Sequence, residues 1–277
     1  MRLALAQVAA GFDRAANLDR ALATMRRASE AGADLIVFPE LAVERFFPQI
    51  QGHSGALALA EPIPGPAGSI ARRVAAAAGE LGLVTVFNMY EVDASGHRFD
   101  SSPVFDADGR LLGVTRMVHI ADFPGFHEKG YYHPGDAGAV VYDTRAGRVG
   151  VAICYDRHFP EYMRALAIAG ADLVVIPQAG AVDEWPEGLY EAEMRAAAFQ
   201  NGYFIGLCNR VGAEEKLTFS GESFVVDPEG QITHRGRKLE EDLVLADLDL
   251  SRCASSTARR LFWRDRRPEL YAGWLSR

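Results

Sequence analysis

The chain has 277 residues, 49% of them apolar and 24% charged, with a formal net charge of -8. The apolar share suits a globular chain with a sizeable core, while the acidity argues against a broad phosphate-binding surface, so no nucleic-acid partner is expected. No run approaches the roughly 18 apolar residues of a membrane span, and the cytoplasm is the expected location.

The chain opens on MRLALAQVAAGFDR. Arg2 ahead of small apolar residues has the flavour of a leader, but the apolar part is short and Gln7 interrupts it, which favours a buried strand over 3–8. Asn17 to Ala31 follows as a helix, with Leu18, Leu22 and Met25 on one stripe. Then come a strand at 34–38, a helix from Ala67 to Leu81 and a strand at 83–88. DADG at 106–109 and RAG at 145–147 read as hairpin turns, the second joining strands at 139–143 and 148–153. A helix over Pro160 to Ala169, a strand at 172–176, a helix over Leu189 to Asn201 and strands at 203–208, 222–226 and 243–248 complete the order.

Alternating short β-branched runs and Ala-rich helices indicate an α/β fold with mixed sheets. AGADLIVFPE (31–40) and AGADLVVIPQ (169–178) agree at seven of ten positions, each closing a strand–helix–strand unit. Two similar αβ halves packed face to face would give a four-layer α-β-β-α sandwich. No Pro/Ser-rich linker interrupts residues 1–277, so one domain is expected. Its last segment, about 250–277, mixes arginines with Phe262, Trp263, Tyr271 and Trp274, a composition suited to an arm at a subunit interface.

No CxxC, HExxH, GxGxxG or Walker-type motif is present, so neither a metal nor a cofactor is expected and side chains must carry any chemistry. Cys154, Cys208 and Cys253 are too scattered for a disulfide framework, and the last two read as structural. Cys154 differs: in GVAICYDRHFPE it ends a buried run just before the chain turns polar. A strand-to-helix junction there would expose the sulfur to backbone N–H groups, that of Tyr155 included, able to hold an oxyanion. Positive neighbours would favour the thiolate. Glu40, in FPEL, follows a buried strand whose apolar surroundings would raise its pKa toward general-base duty. Glu128 lies in the aromatic loop DFPGFHEKGYYHPGD, where Tyr131 and Tyr132 either wall a pocket or simply pack.

FPE, TRMVHIADFPGFHEKGYYHPGD and GVAICYDRHFPE, in this order and at these spacings, resemble the carbon–nitrogen hydrolases of the nitrilase superfamily. The likeness runs from residue 3 to about residue 249 and takes in CNRVG and FSGESFVVDPEG. It implies the α-β-β-α sandwich and subunits that pair into dimers or higher homo-oligomers. It also implies Cys154 as nucleophile, Glu40 as general base and Glu128 as a second ordering glutamate. The family's lysine opens an R-K-x-H-[LI] pattern, but here Arg116, Met117, Val118, His119 and Ile120 stand in that register, so Met117 occupies the lysine position. If the strand continues through it, Arg116 points away and His119 shares the side of Met117, leaving His119 or Lys129 to compensate. CYDRHFPE is similar to the N-carbamoyl-amino-acid and β-ureidopropionate branches, which implies Arg157 holding a substrate carboxylate with help from His158.

The expected activity is thiol-dependent hydrolysis of a non-peptide C–N bond in a small linear amide or ureido substrate, through an acyl-cysteine. The alternative is a silent homologue that binds such a ligand as a sensor or partner subunit, for which Met117 speaks.

Overall fold

The computed structural model describes residues 1–275. Its first half runs β1 (Arg2–Gln7), α1 (Arg14–Glu30), β2 (Leu35–Val37), α2 (Ile70–Leu81), β3 (Val84–Val86), β4 (Met89–Val92), β5 (Arg98–Phe105), β6 (Leu111–Arg116), β7 (Asp122–Phe123) and β8 (Phe126–His127). The second half begins with β9 (Val141–Thr144), β10 (Gly147–Val151), α3 (Pro160–Ile168), β11 (Leu173–Gln178), α4 (Leu189–Asn201) and β12 (Phe204–Asn209). It continues with β13 (Val211–Ala213), β14 (Thr218–Ser220), β15 (Phe224–Val226), β16 (Ile232–Arg235) and β17 (Asp242–Asp247), then α5 (Arg252–Ser255), α6 (Thr257–Leu261) and α7 (Pro268–Leu275).

Helix ends follow capping chemistry. The Asp13 carboxylate accepts from the amides of Ala15 and Ala16, so α1 starts earlier than the apolar stripe suggests. Ser69 caps α2, and Gly82 closes it in the left-handed region at φ 62°, which trims the helix expected from residue 67.

Two sheets form. One has the order β17-β1-β2-β3-β5-β4 with β6 on β5, the other β16-β15-β12-β11-β10-β9. The repeated units are visible in both: β1 runs parallel to β2, and β10 parallel to β11. Strand period decides the layers. Leu3, Leu5, Leu35 and Val37 meet Val149, Val151, Leu173 and Val175 in one core between the sheets. Ala4, Ala6, Ile36 and Phe38 turn the other way, onto α1 and α2, while Val174 and Ile176 pack under α3 and α4. The result is the four-layer α-β-β-α sandwich. Where β12 crosses β1 the sheets come close: a Cβ on Gly206 would stand 2.9 Å from Leu3 Cδ2, so a larger residue there would make Leu3 shift.

Both expected hairpin turns join antiparallel strands, β5 to β6 and β9 to β10. Strands β4 to β6 were not evident from periodicity, because β5 buries Asp100, Ser101 and Ser102 where a core strand would carry apolar side chains. Those polar residues border the site described next. Among the described residues, no helix is long and apolar enough to cross a membrane.

Candidate active site

β10 runs into the sandwich between β9 and β11 and ends just before Cys154, which opens a short 3₁₀ turn over Cys154–His158. Cys154 has φ 43°. That left-handed backbone costs a side-chain-bearing residue roughly 1–3 kcal/mol and persists only where the surroundings enforce it. Asp156 does so. Its buried carboxylate accepts from the amides of Ile153 (3.3 Å), Val118 (3.2 Å) and His119 (2.9 Å) and from His119 Nδ1 (2.8 Å). One side chain thus pins the cysteine turn to the segment after β6. The Tyr155 amide lies in the first turn of its helix, where no carbonyl of that helix can reach it.

Glu40 sits just beyond β2, in a tight loop where Leu41 takes φ 47°. Asn88 holds that loop, its Oδ1 accepting from the Leu41 amide at 2.7 Å. Arg210 clamps it from the other sheet: Nη1 donates to the carbonyls of Glu40 (3.1 Å) and Leu41 (3.4 Å), and Nη2 to that of Glu44 (2.9 Å). Arg210 is fully buried, and its charge is matched by Glu214. Glu128 follows the β7–β8 hairpin in a single 3₁₀ turn; its Oε2 accepts from the Ala121 amide at 3.2 Å.

These three loci converge. The Glu40 carboxyl lies close enough to the Cys154 thiol and to the Asp100 carboxyl for each to act on its protonation, and Glu128 is close enough to raise both Glu40 and Cys154. Glu40, Asp100 and Glu128 are each 0% exposed and Cys154 only 6%. Burial first, and then their mutual negative charge, pushes Glu40 and Glu128 well above the usual carboxylate range. Asp100, raised chiefly by burial, reaches about 7. The Cys154 thiol is likewise pushed up by burial and by Glu40, Glu128 and Glu184. This differs from the expected thiolate with cationic neighbours: the surroundings are acidic and favour the neutral thiol.

Met117 is fully buried immediately after β6, its amide bound to the Asp100 carbonyl at 2.9 Å. Arg116 does face away, pairing with Glu91 and covering Phe99. His119 does not share the side of Met117: the strand ends at Arg116 and the chain bends at residues 118–119, so strand alternation stops applying. The His119 ring instead stacks on Phe159 at 3.5 Å and binds Asp156. Lys129 is exposed to solvent. Neither is placed to stand in for a buried ammonium.

Arg157 also differs from expectation. Its side chain is buried and its fork is already filled within the chain, by Glu193 on Nη1 and by Gln178 Oε1 on Nε at 3.1 Å. His158 Nδ1 lies 2.7 Å from the same Glu193. A guanidinium removed from water must find an internal anion, and Glu193 on α4 supplies one. Tyr131 is structural, bonding Ile50 and accepting from the His53 amide at 2.8 Å. Tyr132 instead turns a buried hydroxyl toward Asp100, Glu40 and Glu128, whose charges push it up further after burial does so first. Cys208 and Cys253 donate to backbone carbonyls, as structural thiols do.

Asp100, Asn88, Asp156 and Arg210 were not singled out from sequence. Arg210 lies in the CNRVG stretch, so a signal existed; Asp100 sits in a strand that periodicity did not reveal.

A family model described as carbon–nitrogen hydrolase matches residues 2–258. The N-carbamoylputrescine amidase of Solanum lycopersicum is 34% identical over 282 residues, covering 97% of this chain and 93% of that protein. The crystal structure of a carbon–nitrogen hydrolase from Helicobacter pylori G27 superposes with a TM-score of 0.92 at 28% identity, covering 100% of this chain and 99% of that one. A mutant amidase from Nesterenkonia sp. AN1, carrying the Michael addition product of acrylamide at its active-site cysteine, superposes with 0.84 at 29% identity over 99% of both chains.

Proposed function

The chain belongs to the carbon–nitrogen hydrolase family, and from that premise we propose that it hydrolyses a linear amide or N-carbamoyl compound through an acyl-cysteine intermediate. The observation that carries this reading is the burial of Glu40, Glu128 and Cys154 in one place, close enough for the acids to act on the thiol. Glu40 takes the thiol proton as Sγ attacks the carbonyl carbon. The Tyr155 amide donates to the oxyanion. As the intermediate collapses, the C–N bond breaks and the proton moves from Glu40 to the departing nitrogen. Water then attacks the thioester, with Glu40 again as base, and the thiol is restored.

Arg157 is neutralised by Glu193, and Glu184 faces the site as an acid. These charges favour a substrate whose far end is neutral or cationic over one that ends in a carboxylate, in line with the N-carbamoylputrescine relative. Pairing of two copies through the C-terminal helices belongs to the same proposal; Leu261 and Trp274 are 56% and 60% exposed there. Sedimentation as a monomer at micromolar concentration would remove that part.

The second reading, ligand binding without turnover, rests on Met117. Ammonia release from N-carbamoylputrescine, N-carbamoyl-β-alanine and simple aliphatic amides separates the two. Met117→Lys would place a cation among three buried carboxyls that lack one, and should raise turnover by about 10²–10³-fold, the value of one preorganised donor to the oxyanion. If native protein and Cys154→Ala are equally inert on the whole panel while a panel compound raises the melting temperature, the binding reading stands instead.

A further inference from the structure

Glu40, Asp100 and Glu128 lie together without a counter-ion: among the described residues no ion pair reaches any of them. The oxygens tell the same story. Both carboxyl oxygens of Glu40, Oδ2 of Asp100 and Oε1 of Glu128 are buried and make no hydrogen bond. An ionised carboxylate only accepts hydrogen bonds, whereas a protonated one also donates. A proton held between Glu40 and Asp100 would let the two carboxyls satisfy each other. Asn88 Nδ2 donates to Asp100 Oδ1, which turns Oδ2 free for that contact.

We propose that Glu40 and Asp100 work as one acid–base unit holding a single shared proton, with Asp100 as the positioning residue that keeps Glu40 competent as a base where Met117 supplies no charge. This deepens the hydrolase reading and rests on it for its catalytic meaning. The balance is as follows. At rest the pair carries one proton and one negative charge. The thiol proton passes from Sγ to Glu40, the original proton stays between Glu40 and Asp100, and the pair becomes neutral as the charge moves to sulfur and then to the oxyanion. When the C–N bond breaks, one proton leaves with the nitrogen and the pair regains its charge. The charge of the pair thus passes onto the intermediate and back instead of adding to it, as a buried site without a cation requires.

The groups that face the pair act in the same direction. Glu44 from the loop after β2, Glu128 and Tyr132 from the turn after β8, and Asp156 and Cys154 from the turn after β10 are all acidic or neutral. The bases nearest them are committed elsewhere: His119 to Asp156, and Arg14 and Arg210 to Glu44 and Glu214.

Infrared spectroscopy of the substrate-free protein tests this without turnover. The native spectrum should contain the C=O band of a buried carboxylic acid that titrates away as pH rises past neutrality. Asp100→Asn keeps the bond from Asn88 through its amide oxygen and offers Glu40 a permanent N–H, so that band should be lost. Met117→Lys should remove the same band by supplying the charge that the proton now offsets. A difference spectrum of native minus folded Asp100→Asn that holds no acid C=O band overturns the proposal, a contribution from Glu128 being common to both and cancelling; if that variant does not fold, the same difference against Met117→Lys decides. A protein inert on every amide that still shows this band and its loss would defeat the hydrolase reading and leave the shared proton intact, while an active protein with unchanged spectra would do the reverse.

Discussion

Cys154→Ala is expected to abolish ammonia release, by roughly 10⁴–10⁶-fold, the range seen when a catalytic nucleophile or its base is deleted elsewhere. Water must otherwise attack the carbonyl directly, because Asp156 and His158, on the same turn, are held by His119 and Glu193. The fold should tolerate the change, since the residue is small and Asp156, not the sulfur, enforces its backbone. Intact mass spectrometry during turnover gives the complementary measurement: native protein gains the acyl or carbamoyl mass on the peptide containing Cys154, and the alanine variant does not. Retained hydrolysis in Cys154→Ala would remove the thiol from the mechanism.

Glu40→Gln should lower kcat/KM by about 10²–10⁴-fold, the usual contribution of a positioned general base. Glutamine has the same shape and can still bond Asp100, so the loss would report the missing proton acceptor. Stability should move the other way. Burial and neighbouring acids raise the Glu40 carboxyl above its ordinary 4.5, so the folded chain keeps a proton that the unfolded chain releases above that value. Native stability therefore falls as pH rises beyond about 4.5, while the neutral amide escapes this dependence. The variant should melt progressively higher than the native protein from mildly acidic to alkaline pH. A variant with full activity, or with a melting temperature that falls relative to native on that path, would reassign the base.

Read together, the two variants separate the roles of sulfur and carboxylate. Without the sulfur no intermediate can form; without the carboxylate, a slow intermediate still can. A thioester detected in Glu40→Gln but not in Cys154→Ala is therefore the pattern expected of this site.

How much of this was legible without coordinates depends on the range of each interaction. The apolar runs of β1, β2, β10 and β11 and the doubled AGADL stretch carry their own periodicity, so the layers and the rim where Glu40 and Cys154 lie could be read directly. Cys154 and Glu40 stand where an apolar strand pattern breaks off, whereas Glu128, in a loop, was pointed to only by the resemblance of the motif order to the carbon–nitrogen hydrolases. His119 was misplaced for a local reason: alternation holds only while the strand does, and the chain bends after Arg116. Arg157 was misread for a distant one. Its partner, Glu193, comes from α4, and nothing near position 157 in the chain announces it.

Periodicity and the doubled stretch, then, gave the sandwich, and motif order pointed to Cys154 and to Met117 at the lysine position, since each is written in neighbouring residues. Which charges meet was decided only by the packing of the sheets. Arg210 reaches across to the Glu40 loop and Asp100 comes from a strand hidden by its own polar residues, so the acidity of the pocket appears only when distant segments exclude water from the same small volume.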